Sequence, residues 1–119
     1  MTFYVYEYTL YRDYGYMNGV HFDEYWKQVG MSDDYDLAKG IALGKADQFA
    51  ENHKGRLGEF VKEDATVGLY NRHKTIGGIS VTTDPLPYME TGYYILTEDF
   101  GDERRCFTES ALRVAVEDN

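Results

Sequence analysis

Three histidines, one cysteine and two groups of carboxylates are the residues of this 119-residue chain with the chemistry to bind or react. His21, His53 and His73 lie far apart, and none has a second ligand at the intervals of a zinc site, so no metal ion and no cofactor is expected. His21 with Asp23 and Glu24 comes nearest to an acid–base or ligand group, but acids are favoured at a helix start, and a capping role is the simpler expectation. The single Cys106 sits in Arg104-Arg105-Cys106-Phe107, a stretch that reads as a strand. Alternation places it opposite to Arg105 and inward, as a buried structural thiol; exposed, it would have its pKa lowered by the two arginines. The chain holds no Gly-x-Ser-x-Gly, phosphate-binding glycine loop or dinucleotide fingerprint, and Gly77-Gly78 reads as a strand bulge. The residues point away from an enzyme.

Aromatic and acidic residues carry more. Of twelve tyrosines, Tyr4, Tyr6, Tyr8, Tyr11, Tyr14, Tyr16, Tyr25 and Tyr35 fall in the first 35 residues, more than one small core can hide with every hydroxyl satisfied. Some must be exposed, and exposed tyrosine beside carboxylate is the composition of a protein-binding face. The expected contact residues are Tyr14, Tyr16, Asp33, Asp34, Asp36, Glu98, Asp99, Asp102 and Glu103, which fall in loops or helix starts. Carboxylates on a rigid small domain can imitate the phosphates of a nucleic acid and gain fast, salt-sensitive association with a basic groove.

On Asp33-Asp34-Tyr35-Asp36, Glu98-Asp99 and Asp102-Glu103, together with size, charge and tyrosine content, the chain resembles the small acidic proteins of bacteriophages and mobile elements that block host defence nucleases, including DNA-mimic anti-restriction and anti-CRISPR proteins. The likeness is one of composition and carries over no family residue. It implies an inhibitor that occupies the nucleic-acid site of a host protein. The alternative is a single-strand nucleic-acid-binding module built on the basic segment 53–74, with Tyr70, Arg72 and Lys74. An Arg72-His73-Lys74 hairpin tip is more simply a solubilising turn.

The elements that must position these residues follow from spacing. Phe3 to Tyr11 is a strand with Tyr4, Tyr6, Tyr8 and Leu10 on one face and Phe3, Val5, Glu7, Thr9 and Tyr11 on the other, so it should lie between two layers or offer a contact surface. Gly15 and Asn18-Gly19 supply turn geometry. Phe22, Tyr25, Trp26 and Val29 fit one face of a short helix closed by Gly30. Ser32-Asp33-Asp34 can cap a main helix of about residues 34–53, on Leu37, Ala38, Ile41, Ala42, Ala46, Phe49 and Ala50. Gly40 and Gly44 inside it imply a close-packed seam.

Strands are expected at 57–61, 67–70, 75–82, 93–97 and 104–107 in an antiparallel meander, with 84–87 a longer loop and 99–102 a hairpin turn. Residues 108–116 fit either a helix or a strand. The fold class is α+β: one domain over 1–119, an antiparallel sheet of five or six strands packed on one main helix, with the first strand well inside the sheet. Whether the C-terminal strands curl toward a small barrel, and whether the chain forms a homodimer, is left open.

The formal charge of −9 opposes binding to a phosphate backbone, so direct nucleic-acid binding is disfavoured. It is unevenly spread, at −5 over residues 1–36, +2 over 37–80 and −6 over 81–119. One cysteine, no signal peptide and no apolar run of membrane-spanning length make a cytoplasmic protein without membrane contact the expectation. The expected function is a non-enzymatic intracellular protein that binds a host protein, itself a nucleic-acid-binding one, through acids and tyrosines.

Overall fold

Two apolar faces on one central strand each need cover: among the described residues, a helix covers part of one face, and Phe100 and His73 lie on the other. The computed structural model describes residues 1–13, 21–53, 59–65, 73–84 and 89–108. Strands β1 (Phe3–Asp13) and β2 (His21–Ser32) lead into helix α1 (Tyr35–Asn52), which is followed by β3 (Glu59–Asp64), β4 (Thr75–Asp84), β5 (Met89–Leu96) and β6 (Glu103–Thr108). The six strands form one antiparallel sheet in the order β3-β4-β5-β1-β2-β6. β1 is interior, as its two-faced pattern requires. Among the described residues β3 and β6 are both edges, so the sheet they form is open and does not close into a barrel. The expected contacts Tyr14 and Tyr16 lie outside the described residues, as do the expected strand 67–70 and the alternatives for 109–116.

The segment 21–29 is a strand, not the expected short helix. Phe22, Glu24 and Trp26 are buried on one face at a spacing of two, while Asp23, Tyr25 and Lys27 take the other. Glu24, a charged residue among aromatics, hides this alternation and leaves the Phe22, Tyr25, Trp26, Val29 spacing to imitate a helix. Pairing along all of β1 outweighs that local pattern. A register shift opposite Val5 and Tyr6 leaves Val29 as the extra residue of a bulge, and Gly30 makes room for Ile41 rather than capping a helix.

Helix α1 starts where expected. Asp34 is its N-cap, accepting from the Leu37 N–H at 3.1 Å, and the Ser32 hydroxyl accepts from the Asp34 N–H at 3.1 Å. Ala38, Ala42 and Ala46 form the seam against Val5, Ile79, Val81, Tyr93 and Ile95, all buried. Small side chains at i, i+4 and i+8 bring the helix axis close to the sheet. Gly40 and Gly44 are not that seam: both are exposed, and a Cβ on either would meet nothing within 4 Å. Replacing both by alanine is therefore expected to raise the unfolding free energy by about 1 kcal/mol per site, read as a higher urea midpoint.

The opposite face buries Tyr6, Tyr8, Leu10, Phe22, Trp26, Tyr94 and Leu96. Residues 97–102 are not a hairpin turn, because β5 pairs with β1 and β6 with β2. The connection instead crosses the end of β1 and lays Phe100 on Tyr6, ring centroids 4.3 Å apart and stacked. His73 stacks on the Phe100 ring at 3.6 Å and meets Trp26 edge-on at 5.4 Å. The meander reading holds for β3, β4 and β5 and fails at this crossover, which the burial of Phe100 favours over a tight turn.

Candidate functional site at the acidic end and the open sheet face

Tyr4 pairs with Met31 on one side and Leu96 on the other, so residues 32–36 and 97–102 leave the sheet at the same end, separated there only by β1. That corresponds to about 10 Å, two strand spacings. Two carboxylate groups more than sixty positions apart in sequence are thereby brought together: Asp33, Asp34 and Asp36 with Glu98, Asp99 and Asp102, all exposed.

Several are held by the backbone. Asp34 caps α1, and Asp33 accepts from the Thr2 hydroxyl at 3.2 Å. Asp99 accepts from the Gly101 N–H at 3.1 Å and from the Tyr6 hydroxyl at 2.9 Å. Asp102 accepts from the Gln28 N–H at 3.1 Å, in place of a strand partner beyond the end of β6. Among the described residues none of these six acids has a cationic partner. Elsewhere four cations are matched: Lys39 with Asp64, Lys62 with Asp47, Arg104 with Asp23 and Arg105 with Glu24.

Glu103 does not join the acidic end. Its carboxylate meets His73 Nε2 at 2.6 Å on the aromatic face, closing the Phe100 stack. Of the alternative basic segment, Lys62 and His73 are committed to acids and Lys74 is exposed; Tyr70 and Arg72 lie outside the described residues. Apolar side chains accompany the acids, since Met31 at the end of β2 is 57% exposed and Leu37 in the first helical turn is 65% exposed.

The second feature is a surface the sequence reading missed. α1 packs mainly over β4, β5 and the start of β1, leaving the same face of β1, β2 and β6 open as a groove of about 580 Å³. Glu7, Thr9, Tyr11, Tyr25, Lys27, Asp102 and Arg104 line it. Tyr11 and Tyr25 meet edge-on at 6.0 Å, and the Arg104 guanidinium lies over the Tyr25 ring at 5.1 Å. Both oxygens of Asp23 hold Arg104, each at 3.3 Å.

Cys106 faces this open side, not the core. It stands directly across from Asp23, and its thiol donates to Asp23 Oδ1 at 2.7 Å. Arg105 is the residue of β6 that turns to the aromatic face, because buried Glu24 on β2 requires a cation there. The hydrogen bond to Asp23 pushes the thiol above its usual pKa, and Arg104 does not reverse this, so Cys106 is a poor nucleophile rather than an activated one. The same contact, with help from Arg104, holds Asp23 below the usual carboxylate range.

Three of the buried tyrosines, Tyr6, Tyr8 and Tyr93, donate to acids. Burial and then Asp99 push Tyr6 up to about 12, burial and then Glu90 push Tyr94 up to about 12, and Tyr93, which donates to Glu7 at 3.0 Å, is also raised by burial and that carboxylate. Tyr8 donates to Glu24 at 3.1 Å. Of the N-terminal tyrosines with described side chains, Tyr11 is the most exposed, at 40%. No group of three or more His, Cys, Asp or Glu among the described residues could hold a metal ion, and no described helix is long and apolar enough to cross a membrane.

Over the described residues the architecture is thus an α+β fold of one helix on a six-stranded sheet, with an acidic end and an open half-face. Comparison with protein-family models, curated proteins and solved structures finds no match to this chain.

Proposed function

We propose that this chain is a non-enzymatic intracellular protein-binding protein that presents the acidic end of its sheet to a basic protein surface, acting as an inhibitor that occupies a nucleic-acid site. The observation that carries this reading is the convergence of Asp33, Asp34, Asp36, Glu98, Asp99 and Asp102 with no cationic partner among the described residues, several already fixed by the backbone. Carboxylates held before contact lose little entropy on binding and steer a basic partner through long-range attraction. Met31 and Leu37 supply the apolar centre that such a rim surrounds. A single exposed thiol suits a reducing compartment.

The test is affinity capture from host-cell lysate by the wild type and by the Asp33→Ser/Asp34→Ser/Asp36→Ser variant side by side, at low and high salt. Serine still caps α1, so the variant is expected to fold with stability within about 1 kcal/mol of wild type. The wild type should retain a stoichiometric protein partner that salt releases, and the variant should bind that partner at least about tenfold more weakly at low salt. Equal capture by both proteins would remove this cluster from the interface. Nucleic acid co-purifying without a protein would move the function to the basic segment 53–74.

A further inference from the structure

We propose that the open half-face beside α1 is a subsite for an aromatic side chain flanked by basic residues, carried on an extended segment of the protein partner. This rests on the protein-binding reading, and it assigns to a different part of the molecule the recognition of one residue type.

Three observations converge on it. The groove's volume of about 580 Å³ lies within the range of ligand sites and is ample for a large aromatic side chain. Its floor is a corner of two rings, Tyr11 and Tyr25 at 88° to each other, offering one face and one edge to an incoming ring. Beside that corner the Arg104 guanidinium lies over the Tyr25 ring at 5.1 Å, with both Asp23 oxygens fixing its orientation and 60% of its side chain still open to solvent. A planar guanidinium immobilised in this way is a second stacking platform, already paired and so not in need of an anion.

Charge selects the flanking residues. The charge of Arg104 is matched by Asp23, and Glu103, which also borders the groove, turns its carboxylate to His73, which leaves Glu7 and Asp102 against Lys27. The balance is acidic and attracts a segment carrying lysine or arginine next to the ring. A nucleotide could use the same platform for its base, but its phosphates would meet Glu7, Asp102 and a chain of net charge −9. Asp102 borders the groove and also belongs to the acidic end, so one extended partner segment can run from one to the other.

The experiment uses the isolated full chain and needs no partner. Isotope-labelled protein is titrated with acetylated, amidated Lys-Trp-Lys, with Lys-Ala-Lys and with adenosine, following amide shifts. The tryptophan peptide is expected to bind at least about tenfold more tightly than the alanine peptide, with shifts centred on Tyr11, Tyr25, Lys27 and Arg104. Tyr11 is 40% exposed and the Arg104 side chain 60%, so Tyr11→Ala and Arg104→Met remove no fully buried group, and the same spectra report their folding. Tyr11→Ala should lower the affinity for the tryptophan peptide severalfold while leaving the alanine peptide unchanged, and Arg104→Met, which frees the Asp23 carboxylate to attract either basic peptide, should shrink the ratio of the two affinities severalfold. Equal affinity for the two peptides, shifts elsewhere on the surface, or a preference for adenosine would overturn the assignment. That failure is separable from failure of the acidic end, which salt-sensitive capture reads independently.

Discussion

Arg105→Met is expected to lower the unfolding free energy by about 3–5 kcal/mol, a large share of the stability of a domain this size. The Glu24 side chain is only 2% exposed, with Arg105 at 3.4 Å and the Tyr8 hydroxyl at 3.1 Å as its partners. Methionine covers the same apolar surface but leaves a carboxylate among Tyr8, Leu10, Phe22 and Trp26 with one neutral donor. Desolvation then sets the energy, not the lost attraction. Two controls separate these effects in urea unfolding. The double variant Glu24→Met/Arg105→Met, which buries no charge, should recover most of the loss. Arg104→Met, which breaks an ion pair with side chains 60% and 35% exposed, should cost under about 1 kcal/mol. If Arg105→Met were as mild as Arg104→Met, Glu24 would be reaching water and β6 would not be held as described. Both pairs tie edge strand β6 to β2 in the register that sets Arg104 over Tyr25, so the buried pair supports the groove on the other face.

Residue patterns that act locally were legible in the sequence, and those that depend on pairing were not. The cap at Asp34 and the interior place of β1 follow from short-range rules and are present, whereas the bulge expected at Gly77-Gly78 falls just before them: Ile76 is the extra residue, and Gly77 and Gly78 pair in regular register with Ile95 and Tyr94. The strand at 21–32 was hidden because buried Glu24 breaks the apolar alternation, and its partner Arg105 is 81 residues away. Misreading that segment as a helix removed Tyr25 and Lys27 from any surface, and with them the groove. A second signal was available, since Phe22, Tyr25, Trp26 and Val29 are all strand-favouring types. Cys106 was turned inward for a related reason: alternation fixes which residues share a face but not which face is buried, and only Glu24 decides that for β6. The acids Asp33, Asp34, Asp36, Glu98, Asp99 and Asp102 were legible singly from composition, but their convergence needs the β2-β1-β5 order. Glu103 shows the limit of composition, since one residue past Asp102 the alternation turns it to His73.

Gly78→Ala should cost about 2–4 kcal/mol, combining positive-φ strain with forced overlap. Gly78 has φ +155°, and a Cβ there would lie 2.5 Å from Tyr94 Cδ1 and 2.7 Å from the Tyr93 carbonyl oxygen. The ring could turn, but the carbonyl cannot, because Gly78 and Tyr94 are opposed in the β4–β5 ladder. The strand would have to shift as a unit. Gly101→Ala is the comparison: its φ is +73° but a Cβ would meet nothing within 4 Å, so only the backbone strain of about 1–2 kcal/mol applies. Unfolding midpoints of the two variants would thus differ although both replace a positive-φ glycine by the same residue. Displacement at Gly78 also reaches the groove, because Tyr93 donates to Glu7 on its wall. Ultraviolet titration offers a second readout, with the raised Tyr93 hydroxyl expected to move back toward its ordinary range as its burial and its contact with Glu7 loosen. A Gly78→Ala protein no less stable than Gly101→Ala would mean that the bulge between Thr75 and Gly77 absorbs the added methyl by sliding β4 along β5. That outcome would make the helix-side face adjustable at this seam, and the position of Glu7 in the groove would then follow the register of β4 as well as that of β1.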